Sequence, residues 1–222
     1  MRSSTIAIKS DEERSMSRHE QKIQTRKRIL AAAGRSFRRG GFGGIGVDGL
    51  SKEAGVTSGA FYTHFDSKSA AFRETVVQGV TDVVNALQLL RANHPQDWWS
   101  RFVRFYLHER RKCDLADSCG LQSLSSEVAR ADEDSKAAFT QELMRVAAEI
   151  VAGNQDPCAP ASIAEAYAAL GALIGTVTLA RAVNDATIAR QIASATEHSL
   201  LAGQLEPRAR TPAQRARKKT AK

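Results

Sequence analysis

The chain has 222 residues, 42% of them hydrophobic, which is enough for a folded core and excludes disorder of the whole chain. Its formal net charge of +8 is unevenly placed: residues 1–70 hold 13 basic against 7 acidic groups, residues 71–203 hold 12 against 16, and residues 204–222 hold 7 against 1. A basic N-terminal unit before a larger acidic one points to a polyanion partner for the first and a different task for the second. Cys113, Cys119 and Cys158 form no C-x-x-C pair and cannot all be bridged, so neither a disulfide framework nor a metal site is expected, and a reducing cytoplasm fits. The first 20 residues carry Asp11, Glu12 and Glu13 and lack the apolar stretch of a secretory signal. The longest weakly polar run, Ala166 to Ala180, is closed by Glu165 and Arg181 and falls short of the roughly 20 residues a membrane helix needs, so a soluble protein with no membrane partner is expected.

Residues 1–16 are polar and without period, and a flexible leader is expected there. From Ser17 the pattern turns helical. Glu20 stands at capping-box distance from Ser17, Ile23, Leu30, Ala33 and Phe37 recur at helical intervals, and Gly40 and Gly41 stop the run. Lys22, Arg26, Lys27, Arg35, Arg38 and Arg39 make a cationic outer face, either simply solvated or electrostatic in purpose. Gly41, Gly43 and Gly46 fit G-x-G-x-x-G, with Asp66 20 residues beyond. A dinucleotide site needs a preceding strand, however, and a long cationic helix stands there instead.

Residues 45–68, IGVDGLSKEAGVTSGAFYTHFDSK, predict two short helices joined by a tight turn. Val47, Leu50 and Ala54 make one apolar face, with Gly46 as an acceptable N-cap. Gly55 ends that helix in a left-handed conformation, and Val56 tucks between the two helices. Thr57 or Ser58 caps the second helix, on which Phe61 and Phe65 share one side while Gly59, Ala60, Tyr62, Thr63 and His64 cover the rest. Small residues at 59 and 60 allow close backbone approach to a DNA groove, and the helix N-terminus favours phosphate. Ser67 is placed to cap the next helix, which Lys68 opens.

On the run from Gly46 to Lys68 and the basic helix before it, residues 17–72 resemble the N-terminal domain of the tetracycline-repressor (TetR) family of bacterial transcription regulators. The resemblance implies that Thr57, Tyr62, His64 and Lys68 contact DNA phosphates, that Gly59, Ala60 and Thr63 approach base edges with Ser58 beside them at the helix start, and that Phe61 and Phe65 are core. Ile45 and Gly46 stand where the family often has hydroxyl residues, which leaves only backbone N–H groups for a phosphate there.

Beyond residue 69 every pattern is helical. Phe72, Val76, Val77, Val80, Val83, Val84 and Leu87 form one stripe, interrupted by Pro95. A helix from Trp98 to about Lys112 carries Trp98, Phe102, Phe105 and Tyr106, and another from Asp117 to Ala131 begins near Cys119. The resemblance makes these five residues candidates for the lining of an effector pocket, against a plain reading as core. A thiol at a helix N-terminus also admits a redox or electrophile sensor at Cys119. A further helix is expected from Ser135 to Val151. After Pro157 and Pro160 come two regular helices, with Leu170, Leu173, Ile174, Val177 and Arg181 on one stripe and Ile188, Ile192, Ala195, Ser199 and Leu200 on the other. By resemblance, Leu170, Ile174, Val177, Arg181, Ile188 and Ile192 are the expected dimer contacts. Residues 204–222, rich in Arg and Lys, are expected to be a disordered basic tail.

The expectation is an all-α chain with an N-terminal three-helix helix-turn-helix DNA-binding domain over residues 17–68 and a C-terminal helical ligand-binding and dimerisation domain over 69–203. Its expected role is that of a cytoplasmic homodimeric repressor, released from a palindromic double-stranded DNA operator by a small-molecule effector. No paired histidines at metal spacing, nucleophile elbow or P-loop is present, so neither an enzyme nor a cofactor is expected. A constitutive DNA binder without effector is the remaining alternative.

Overall fold

A computed structural model describes residues 17–202, and the leader expected over 1–16 and the tail expected over 204–222 lie outside them. Among the described residues there are helices and turns and no strand. Helix α1, Arg18–Gly40, opens on a complete capping box: Glu20 N–H donates to the Ser17 hydroxyl at 3.2 Å, and Ser17 N–H donates to the Glu20 carboxylate at 2.7 Å. Helices α2, Val47–Ala54, and α3, Ser58–Tyr62, follow as short elements, and α4, Lys68–Asn93, starts from Ser67, whose hydroxyl accepts the Ala70 N–H. Phe37 and Phe42 stack, and both meet Phe72 edge-on, where α1, the α1–α2 corner and α4 meet.

The long helix expected from Trp98 to Lys112 has three parts. Helix α5, Trp98–Arg104, passes into a π turn over Phe105–Glu109 and a 3-10 turn over Arg110–Lys112. Helix α6, Gly120–Val128, is shorter than its expected span, with Cys119 as N-cap and a separate 3-10 turn over Leu115–Asp117 before it. Helix α7, Glu133–Ala152, starts earlier than expected because Asp132 caps it by accepting the Ser135 N–H at 2.7 Å. Helices α8, Ile163–Ala182, and α9, Ala186–Leu201, close the described chain and pack on each other.

Two cores result. That of the head joins Ile29, Phe37, Leu50, Phe61, Phe65, Phe72 and Val76 with Leu124 and Val128, so both α4 and α6 supply residues to it. The body's core joins α4, α5, α7 and α8 around Val84, Leu87, Trp98, Trp99, Phe102, Leu107, Ile150 and Leu173. Helix α4 spans both cores and runs along α7, with Arg91 paired to Glu149. Near its middle α4 crosses the start of α6 through two glycines. A Cβ on Gly120 would lie 2.8 Å from the Gly79 Cα, and one on Gly79 would lie 3.1 Å from the Gly120 Cα. Gly120→Ala is therefore expected to cost about 1–3 kcal/mol by overpacking, read as a lower denaturation midpoint at unchanged slope. A midpoint equal to that of the parent chain would show that the helices separate without cost.

Helix α8 corrects one expectation. Glu165 and Arg181 lie inside it, so it runs 20 residues at mean hydropathy 1.6 and is long and apolar enough, by length and composition, to cross a membrane. Ala166, Ala169, Leu170, Leu173 and Val177 on its inner face belong to the body's core.

Candidate nucleic-acid interface

The turn between α2 and α3 forms as the residues dictate. Gly55 adopts φ +67°, and the Val56 N–H reaches back to the Ser51 carbonyl at 2.9 Å, closing α2. Phe61 and Phe65 are buried, with ring centroids 5.6 Å apart, and they fix which side of α3 faces out. The outward side carries Gly59, Tyr62 and Thr63, all exposed, with Ala60 half-buried. The Thr57 hydroxyl accepts the Ala60 N–H at 3.1 Å and keeps its own proton for a further acceptor. Tyr62 is 55% exposed, its ring edge-on to Phe61. Lys68 opens α4, its ammonium 4.2 Å from the centre of the Phe42 ring. Of the expected contacts, Thr57, Gly59, Tyr62 and Thr63 are thus exposed, and Ala60 and Lys68 are half-buried.

Ser58 and His64 are set apart from this face, and the hydroxyl proton of Thr63 is committed within α3. The Ser58 hydroxyl donates to Asp48 at 2.5 Å, clamping the starts of α2 and α3 together, so that proton is committed inside the head. The Thr63 hydroxyl likewise donates to the Gly59 carbonyl at 3.1 Å. His64 is half-buried with its Nδ1 unpartnered, and burial first, then Lys22 and Arg26, hold its pKa below the ordinary histidine value. The cationic face of α1 is also thinner than the sequence suggests. Arg26 pairs with Glu74 and lies over the Phe65 ring at 4.6 Å, and Arg38 turns toward the body, donating to the Ala116 carbonyl at 2.6 Å. Lys22, Lys27, Arg28, Arg35 and Arg39 remain exposed, of which Arg28 was not among the expected outer-face residues.

Of the five expected pocket residues, Phe102, Phe105, Tyr106 and Cys119 line a cleft of about 270 Å³ between α4, the π turn and the start of α6. Trp98 does not. Its indole N–H donates to the Gly153 carbonyl at 3.0 Å and its ring fills the space where a Gly153 Cβ would stand, so its place is structural. The cleft also takes Asp82 from α4, Arg110 from the 3-10 turn, Asp117, and Arg38 from α1. Sequence reasoning passed over these four because they come together only in the fold. A second groove of about 430 Å³ between α1 and α4 shares Arg38, Asp82 and Asp117 with the first, so Arg38 stands where the body's cleft meets the head. At its other end α6 reaches the head again, where the Glu127 carboxylate accepts the Phe42 N–H at 2.9 Å.

The expected dimer contacts also divide. Leu170 and Val177 are each 3% exposed and belong to the chain's own core, which corrects their placement at an interface. Arg181 donates to the carbonyls of Arg110 and Cys113 at 3.0 and 3.1 Å, securing the turn after α5. Ile174 and Ile192 are half-buried, and Ile188 is exposed. The outward face of α8 instead presents Ile163, Tyr167 and Leu179, none of which the sequence reading placed there. No group of three or more His, Cys, Asp or Glu able to hold a metal ion occurs among the described residues.

The chain thus sets a helix-turn-helix head with an exposed second helix on an all-helical body. Residues 29–75 match the model of bacterial regulatory proteins of the tetR family, so that segment is a domain of the tetR type. A further match is 41% identity over 54 residues to the uncharacterized HTH-type transcriptional regulator YdgC of Bacillus subtilis (strain 168), covering 24% of this chain and 28% of that protein. The chain thus matches little more than a quarter of that relative's length. Among solved structures, E. coli NemR in its reduced form is similar at TM-score 0.66 and 20% identity over 79% of this chain and 95% of that one. A TetR-family regulator from Cytophaga hutchinsonii is similar at TM-score 0.68 and 16% identity over 85% and 96%. These structures share the fold.

Proposed function

We propose that the chain is a non-enzymatic, homodimeric repressor that binds a palindromic operator and leaves it when a small molecule occupies the body's cleft. The observation that carries this reading is the open end of the head, where α3 presents Gly59, Tyr62 and Thr63 beside Thr57 and Lys68. Thr57, Tyr62 and Lys68 are phosphate donors in this reading, and Gly59, Ala60 and Thr63 approach base edges. Ser58 and His64 support the helix rather than grip DNA. The work divides between residues 17–68, which hold DNA, and 69–203, which hold effector and partner, with α4 and α6 belonging to both. The second copy docks on the outward face of α8 and α9, where Tyr167, Leu179 and Ile188 stand uncovered. Release runs through α6, which borders the cleft at Cys119 and holds the α1–α2 corner at Glu127. Cys119, a buried thiol at the cleft's edge, supports a second reading in which its modification is the signal. DNA anisotropy over a salt series tests the head. Lys68→Ala is expected to weaken binding and lower the log–log salt slope by about 1, whereas Tyr62→Ala weakens binding at unchanged slope because it removes a neutral donor. Parent-like affinity in both variants would rule out this face.

A further inference from the structure

The cleft has a polarity that bears on what fills it. Tyr106 is 6% exposed, and its buried hydroxyl meets only the Cys119 thiol, a weak acceptor that leaves the hydrogen bond poorly satisfied. A buried donor left unsatisfied costs about 1–3 kcal/mol, which an acceptor on a bound molecule would recover. Burial, with Cys119 adding to it, holds the Tyr106 phenol well above its ordinary pKa, so it remains a donor across the working range of pH. Helix α6 begins at the same place with no side-chain cap on its first N–H groups, and its dipole presents positive charge there. Arg110, on the cleft wall one turn beyond Tyr106, adds a guanidinium. Three independent donors thus favour an oxygen carrying negative charge. Asp82 and Asp117 stand exposed at the cleft's edge and oppose a second negative charge. Arg38 lies between these carboxylates and the head, and the apolar wall is made by Val83, Ala86 and the rings of Phe102 and Tyr106, whose centroids are 5.7 Å apart, with Phe105 partly open to solvent. A volume of about 270 Å³, against the roughly 150 Å³ of a cavity that takes benzene, suits one or two fused rings.

We propose that the cleft binds a small aromatic monocarboxylate, its carboxylate held by the Tyr106 hydroxyl, the start of α6 and Arg110, and its ring against Phe102 and Phe105. This rests on the effector reading above. Calorimetric titration of the full chain with naphthoate, naphthalenemethanol and naphthylmethylamine separates charge from shape. Naphthoate is expected to bind at least about tenfold more tightly than the alcohol, with the amine weakest. Tyr106→Phe and Arg110→Gln are each expected to weaken naphthoate about tenfold while leaving the alcohol's affinity nearly unchanged. Naphthoate binding no better than the alcohol, an amine that binds most tightly, or two variants that bind naphthoate like the parent chain would overturn the proposal. DNA affinity measured on the same samples separates the two claims. Tyr106-dependent naphthoate binding that leaves DNA affinity unchanged keeps the ligand class and removes the effector role. DNA release by other compounds from a chain that ignores naphthoate removes the ligand class and keeps the effector role.

Discussion

Replacing Tyr167 and Leu179 together by glutamate is expected to yield folded monomers whose operator affinity falls by a factor on the order of 10² or more. Both side chains are on the outer side of α8, 39% and 60% exposed, and neither is in the chain's own core. The variant therefore retains its helical content while losing the partner. The loss on DNA is large because the second half-site contact of a dimer is effectively intramolecular, and a monomer gives up that advantage entirely. Val177→Glu serves as the contrast. At 3% exposure it places a carboxylate inside the body and is expected to unfold the chain rather than divide it. Sedimentation velocity with circular dichroism reads both outcomes, and a double glutamate variant that still sediments as a dimer removes α8 from the interface.

Trp98→Ala is expected to lower stability by about 3–5 kcal/mol. Trp98 is 1% exposed, edge-on to Trp99 at 5.6 Å, and its indole bonds the carbonyl of Gly153 just past the end of α7. Truncation opens a cavity in the body and orphans that carbonyl. Phe105→Ala, with the ring 53% exposed at the cleft, is expected to change the denaturation midpoint little. Equal losses in the two variants would contradict the assignment of Trp98 to the core and Phe105 to the cleft.

What was legible in the sequence was what depends on near neighbours. Ser17 with Glu20, Gly55 past the end of α2, Thr57 at the start of α3 and Ser67 at the start of α4 all took the roles their spacing required. Phe61 and Phe65, four apart, fixed the inner side of α3. Roles set by distant partners were hidden. Arg26 meets Glu74, Arg38 meets Ala116, and Ser58 meets Asp48, so groups that look available for DNA on a one-dimensional pattern are already engaged. On α8 the difficulty is different. The helix is apolar on nearly every side, so periodicity did not separate Leu170 and Val177, which face in, from Tyr167 and Leu179, which face out. The π turn at Phe105–Glu109 has no local marker either, and it lies on the segment that places Phe105, Tyr106 and Arg110 on the cleft.

If two copies of this head read DNA together, selection of bound duplexes from a random pool will reveal it. The expected result is enrichment of an inverted repeat with two equivalent half-sites, lost when Tyr62 and Lys68 are both replaced by alanine. A pool that gains no common sequence, or that converges on a single unrepeated site, would contradict it.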